Sequence, residues 1–181
     1  AIAILWVNII MDGPPAMALG LDASDAEIMR RAPRPITEKI LTPRRWWAIG
    51  FSSVVMAVGT LLILALSPGP EAQAGTSTVA GTMAFNTFVL FQFFNILNAR
   101  SDWHSVFRRQ TLLNAYLWVS LLCVIVLQIG VTHVGAMQRL FDTTSISASQ
   151  WLICLAVASS VLWLEELRKI FIRRQLRPTN P

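Results

Sequence analysis

Charged residues are scarce in this chain. Only 14% of its 181 residues are Asp, Glu, Lys or Arg, whereas 54% are hydrophobic. A soluble domain typically has about 25% charged residues, because polar side chains must cover its surface. The shortage excludes a soluble domain of this size and indicates a membrane protein.

Histidine and cysteine are also rare, with two of each. Cys123 and Cys154 stand singly in apolar stretches, where a cysteine usually acts as a small apolar residue. His104 has no second histidine or cysteine nearby. We therefore expect neither a disulfide nor a zinc site.

The sequence has no glycine-rich phosphate loop and no nucleophile with an adjacent base. It also has no polar stretch long enough to form a sizeable soluble domain. We therefore expect no catalytic residue and no nucleotide site in these 181 residues.

Long apolar runs are what the chain does contain. An apolar helix of about 20 residues crosses the roughly 30 Å hydrocarbon core of a bilayer. Such stretches occur at residues 1–21, 46–66, 79–99, 112–133 and 149–167. The predicted fold is all-α, a bundle of five transmembrane helices that forms a single membrane domain over residues 1–181.

The net charge of +5 could suggest nucleic acid, but the positions of the basic residues indicate otherwise. If each span crosses the membrane once, all but one of the 15 lysine and arginine residues lie on the same side, and Arg139 is the exception. Basic residues that border apolar spans mark the cytoplasmic side. The expected partner is therefore the lipid bilayer, with no nucleic acid.

This orientation places residue 1 on the outer side. No initiating Met, signal peptide or basic flank is present there to insert the first span. We therefore expect the chain to be the carboxy-terminal piece of a longer protein.

The first apolar stretch contains an amide and a carboxylate, Asn8 and Asp12. An Asp at mid-bilayer costs at least about 2.5–3.5 kcal/mol unless it has a partner or an ion. Residues four apart share one face of a helix, so these two side chains can converge on one point.

Gly13-Pro14-Pro15 follow at once and predict that the first helix is unwound there. Proline has no N–H, so the carbonyls of Ile10 and Met11 are freed next to the carboxylate. Oxygen ligands select hard cations such as Ca2+, Mg2+ or Mn2+. The alternative is a kinked helix whose Asp hydrogen-bonds a neighbouring helix.

The third stretch contains the amides Gln92, Asn95 and Asn98 on one stripe. Such amides either hydrogen-bond across helices or contribute a neutral oxygen to a cation. Gln92 is the deepest of the three and the best ligand candidate.

Two further helical features are predicted near the ends of the later spans. Glu165 and Glu166 can pair with Lys169 at the end of the last span, which we expect to be a solvated helix end. A short interfacial helix is predicted over residues 137–143, on the outer side.

The motif LWVNIIMDGPPAMALG, followed by IMRRAPRP, closely resembles the sixth transmembrane helix and the next loop of P-type Ca2+-transporting ATPases. The similarity is best to secretory-pathway Ca2+/Mn2+ pumps and their bacterial relatives. TMAFNTFVLFQFFNILNAR resembles the eighth helix of the family, and QRLFDTTSIS the segment before the tenth. The resemblance covers the whole chain as helices six to ten.

The resemblance implies that Asn8 and Asp12 are ligands of a transported cation. Backbone carbonyls and a Glu on the fourth helix, upstream of this chain, would complete the site. Met11 stands where two-site pumps have Thr, and Gln92 where they have an acidic ligand. Both differences resemble single-site pumps and imply one ion per ATP.

The resemblance also implies what lies outside the chain. Pumps of this family have a phosphorylated Asp in a DKTGT motif, together with actuator and nucleotide-binding domains, and use Mg2+-ATP. The implied partners are the upstream fourth and fifth helices and the phosphorylation domain, which the loop 22–35 would brace. The implied function is the cation-binding membrane part of an ATP-driven Ca2+, or Mn2+, export pump.

Two questions stay open on the sequence. The alanine-rich, arginine-over-lysine composition suggests a bacterial inner membrane, and a Golgi-type membrane is the eukaryotic alternative. The alternative function is a five-span channel or scaffold protein that acts alone without ATPase activity.

Overall fold

The computed structural model describes residues 2–21, 42–67, 78–100, 105–107 and 114–175. Across these ranges the regular structure is helical, and five helices are long and apolar enough to cross a membrane. In chain order these first to fifth spans are Ile2–Gly20, Arg45–Leu66, Val79–Ala99, Ala115–His133 and Ala148–Phe171. The predicted all-α, five-span fold is confirmed. The loop 22–35, predicted to brace the phosphorylation domain, and His104, predicted not to be a metal ligand, lie outside the described residues.

Side-chain caps fix where the middle spans begin. The second span lies in the helix Pro43–Leu66, and Thr42 Oγ1 accepts the N–H of Arg45 at 3.4 Å. The fourth begins at Ala115, later than the apolar run predicts, because Asn114 Oδ1 accepts the N–H of Leu117 at 3.0 Å. Each cap satisfies an N–H that has no partner inside its helix.

The third span is the centre of the bundle and packs against the second and fifth. At one crossing the ring of Phe91 packs directly on Gly59, where a Cβ would lie 2.5 Å from Cζ of Phe91. Phe91 is fully buried, and Cys154 lies in the same apolar cluster, as a small core residue. Gly59 therefore lets the second span approach the third.

The fifth helix is longer than its apolar run, extending over Ala148–Gln175. A short helix, Gly135–Phe141, precedes it and confirms the helix predicted near residues 137–143.

The first span is interrupted, but not where the sequence predicts. It runs as an α-helix Ile2–Trp6, a π-helical turn Val7–Met11, and a second α-helix Gly13–Gly20. Gly13-Pro14-Pro15 form the first turn of this last segment, so the irregular turn precedes them. Prolines fit there, because the N–H groups of a first turn have no intrahelical acceptor in any case.

The end of the fifth span also differs from expectation. Glu165, Glu166 and Lys169, which the sequence predicts to be solvated, are only 3%, 8% and 1% exposed. Glu165 accepts hydrogen bonds from Ser52 Oγ at 2.7 Å and from Arg168 Nε at 2.8 Å. These three charged side chains are therefore buried, and the bond from Ser52 joins Glu165 to the second span.

Glu166 and Lys169 join three elements. Glu166 Oε1 accepts the N–H of Val106 at 2.9 Å and lies 3.7 Å from Lys169 Nζ, as the i, i+3 pairing predicts. Lys169 Nζ also donates to the carbonyl of Asn98 at 3.3 Å. The fifth helix is thereby fixed to the end of the third span and to the segment that follows it.

Candidate cation site

The π turn separates its side chains onto two faces. Val7 and Met11 are buried, whereas Asn8 and Asp12 are exposed. Leu5 and Ile9 are also exposed, at 58% and 57%. Asn8 and Asp12 therefore lie on a face of the first span that the described part of the chain leaves open.

Backbone oxygens are available beside these two side chains. The carbonyl of Ile10 would be bonded by the N–H four or five residues later, but those positions are Pro14 and Pro15. The N–H of Ala16 bonds to the carbonyl of Asp12 at 3.1 Å. The Ile10 carbonyl therefore receives neither the α-type nor the π-type bond.

The buried face of the π turn packs against two other spans. Val7 and Met11 form an apolar cluster with Val89 of the third span and Val124 of the fourth. Met11 is fully buried in this cluster. The structure therefore gives the Met11 side chain a packing position, on the opposite face from the exposed Asn8 and Asp12.

Gln92 lies on the third span and is partly buried. It follows Phe88 by four residues and Val89 by three, and both of these pack against the π-turn cluster. Residues at these spacings share a helical stripe, so Gln92 lies on the stripe that contacts the first span. The amide of Asn98 has the other predicted role, since its Nδ2 donates to the carbonyl of Val161 at 3.3 Å.

The donor set suits a hard cation but is incomplete. The described residues contain no group of three or more His, Cys, Asp or Glu that could hold a metal. Ca2+ takes six to eight oxygen ligands. Asn8, Asp12 and the Ile10 carbonyl could supply only part of such a shell, so a complete shell would need further oxygens.

A buried polar network just ahead of the π turn escapes prediction from the sequence. Trp6 Nε1 donates to Gln128 Oε1 at 3.2 Å, and Gln128 Nε2 donates to Asn86 Oδ1 at 2.6 Å. Gln128 and Asn86 are both fully buried. The one indication of this network in the sequence is that Gln128 and Asn86 are each an amide within an otherwise apolar stretch.

The comparisons with known proteins agree with this architecture. The family model described as "Cation transporting ATPase, C-terminus" matches residues 1–171. The chain belongs to this family. The predicted resemblance to P-type Ca2+-transporting ATPases is thereby confirmed.

Several relatives carry the name of calcium pumps. The chain is 35% identical to "Calcium-transporting ATPase 1" of Schizosaccharomyces pombe over 97% of its own length and 19% of that protein. It is 38% identical to "Calcium-transporting ATPase type 2C member 2" of Homo sapiens over 94% of its length and 18% of that protein. It is 33% identical to "Calcium-transporting ATPase 1" of Saccharomyces cerevisiae over 97% of its length and 18% of that protein. The chain thus spans about a fifth of the length of these relatives.

Proposed function

We propose that this chain is the carboxy-terminal membrane part of an ATP-driven Ca2+ export pump and supplies half of its cation site. The observation that carries this proposal is the π turn, which presents Asn8 and Asp12 on one open face beside a carbonyl freed by two prolines. Single π turns inside α-helices are frequent at functional sites. The family match and the names of the relatives support the same function.

The other half of the site is proposed to come from the upstream part of the same protein. An exposed carboxylate within a membrane span is costly if it faces lipid. The family's fourth and fifth helices, which would lie upstream of this chain, would cover this face and add a Glu and further carbonyls. The phosphorylation, actuator and nucleotide-binding domains, with Mg2+-ATP, would also lie upstream.

The transported ion is proposed to be Ca2+, which the names of the relatives support, with Mn2+ as a second substrate. Met11 and Gln92 replace the Thr and the acidic ligand of two-site pumps, which supports one ion per ATP. We place the pump in a bacterial inner membrane, with a Golgi-type membrane as the eukaryotic alternative. A channel or scaffold that acts alone gains no support from relatives that are named as transporting ATPases.

The test is Asp12→Asn in the intact protein that carries this chain. The change removes the charge at almost constant volume, and we expect it to abolish Ca2+-dependent phosphorylation by ATP. The matched control is Asp142→Asn, which makes the same change on an exposed carboxylate of the outer connection. Asp142 has φ 52°, a left-handed conformation that Asn tolerates well, so this control should phosphorylate normally.

Wild-type Ca2+ affinity in the Asp12→Asn protein would contradict the proposal. Ion flux through liposomes that contain these 181 residues without ATP would favour the channel instead.

A further inference from the structure

Trp6 is held on two sides immediately before the π turn. Its indole N–H donates to Gln128 of the fourth span at 3.2 Å. Its ring meets the ring of Phe141 edge to face, with centroids 5.0 Å apart and an interplanar angle of 72°. The last α-helical residue before Val7–Met11 is therefore fixed by both a hydrogen bond and a ring contact.

Gln128 is itself held in place by the third and fourth spans. Its amide Nε2 donates to Asn86 Oδ1 at 2.6 Å, and its backbone carbonyl accepts from Thr132 Oγ1 at 3.1 Å. Gln128 and Asn86 are both 0% exposed. A fully buried amide with a short bond to a neighbouring helix has little rotational freedom, so its Oε1 is a fixed acceptor for Trp6.

The same two spans continue along the buried face of the π turn. Val124 lies one helical turn before Gln128, and Val89 lies three residues after Asn86. Both valines belong to the apolar cluster that contains Met11. The polar contact at Trp6 and the apolar contact at Met11 are therefore successive layers of one interface, and together they determine how the π turn is rotated about its axis.

This rotation determines where Asn8 and Asp12 point. Asn8 follows Trp6 by two residues, and both proposed ligands lie opposite the packed face. Apolar side chains at positions 86 and 128 would pack without burying an amide, and an amide is costly to bury unless it is bonded. Interhelical hydrogen bonds in membranes are individually weak, so stability alone is a poor explanation for this pair.

We propose that Gln128 is a positioning residue for the cation site, acting through the indole N–H of Trp6, with Asn86 orienting its amide. The inference rests on the proposed function, because the site that it positions is the one formed by Asn8 and Asp12. Gln128 does not touch the cation. It couples the third and fourth spans to the site.

The experiment measures the free Ca2+ concentration that gives half-maximal phosphorylation by ATP in the intact protein. Trp6→Phe removes the N–H and keeps a ring against Phe141, and Gln128→Leu removes the acceptor. Each should raise the half-maximal concentration about threefold, and at most about twentyfold, as expected for one interhelical hydrogen bond in a membrane protein. Because Gln128 acts through Trp6, the double variant should be no worse than the more affected single variant.

Thr143→Val is the matched control. Thr143 Oγ1 donates to the carbonyl of Val131 at 2.7 Å, so this change removes a buried hydrogen bond of the fourth span without touching Trp6. It should lower thermal stability and leave the half-maximal Ca2+ concentration unchanged. Gln128→Glu keeps an oxygen acceptor for the indole N–H of Trp6 and should retain near-normal affinity.

The outcomes separate this inference from the proposed function. If Asp12→Asn abolishes phosphorylation while Trp6→Phe and Gln128→Leu match the Thr143→Val control, the positioning role is wrong and the cation site stands. If the two single effects add in the double variant, Gln128 does not act through Trp6. If Asp12→Asn has no effect on Ca2+ affinity, the proposed function itself fails.

Discussion

Glu166→Leu should strongly destabilise the protein, because Glu166 is buried and has two partners. Its Oε1 accepts the N–H of Val106 and lies 3.7 Å from Lys169 Nζ. At that distance and an effective dielectric constant of about 20, the attraction is about 4.5 kcal/mol. Removing one partner of a buried ion pair costs about 3–5 kcal/mol, because the other charge stays buried without its partner.

The assay is the half-life of monodisperse, detergent-solubilised full-length protein at a fixed elevated temperature. A rate is the appropriate quantity, since large membrane proteins unfold irreversibly. The lower limit of the cost of breaking the pair is about 3 kcal/mol. If half of it, about 1.5 kcal/mol, lowers the barrier to unfolding, the half-life falls at least tenfold. Leu167→Ala, an exposed neighbour, is the control and should change the half-life little.

A double variant tests the physical reason. Glu166→Leu/Lys169→Met removes both charges, and apolar replacements of a buried ion pair are often close to neutral. The double variant should therefore recover at least half of the loss. A Glu166→Leu protein as stable as the Leu167→Ala control, or single effects that simply add, would refute the argument that this end of the bundle is held by a buried pair.

Two smaller changes test the packing. Gly59→Ala places a Cβ 2.5 Å from the buried ring of Phe91 and should lower thermal stability by about 1–3 kcal/mol. Gly50→Ala, which has open space around its Cβ in the same helix, should not lower stability. Equal effects of the two changes would contradict the close approach of the Phe91 ring. Met11→Thr replaces a fully buried side chain and should lower stability while leaving the ratio of Ca2+ to Mn2+ transport unchanged. A changed ratio would instead give the thioether a role at the cation site.

The spans could be predicted because their length and hydropathy are local properties. Runs of about 20 apolar residues predict membrane helices whatever surrounds them. The predicted and observed bounds of the third span agree at Val79–Ala99. Local capping accounts for the later start of the fourth span at Ala115, since Asn114, a polar residue near the start of the apolar run, caps the helix that begins after it.

The position of the break could not be predicted to the residue. Proline chemistry indicates that the first helix is irregular near Gly13-Pro14-Pro15, but it does not determine whether the irregular turn precedes or includes them. The structure forms it at Val7–Met11, where two other spans pack against one face. Packing partners distant in sequence therefore decide a choice that local propensity leaves open.

The buried charges at the end of the fifth helix were mispredicted for a related reason. Glu and Lys at i, i+3 on a helix end are usually solvated, and nothing local distinguishes Glu166 from such a case. Its partners are Val106, 60 positions away, and Lys169, which in turn reaches Asn98. Contacts over these separations exist only once the helices are assembled.

The candidate site, too, could be predicted only in part, because some of its features are local in the sequence and others depend on the assembled helices. Asn8 and Asp12 could be identified from the sequence because an amide and a carboxylate are conspicuous in an apolar span. The assembled chain then buries Met11 and fixes Trp6, but it leaves Asp12 exposed midway along a span. A carboxylate at that depth is costly against lipid, by at least about 2.5–3.5 kcal/mol. The third and fourth spans thus pack behind the candidate site, and any oxygens that complete it would approach from the open face.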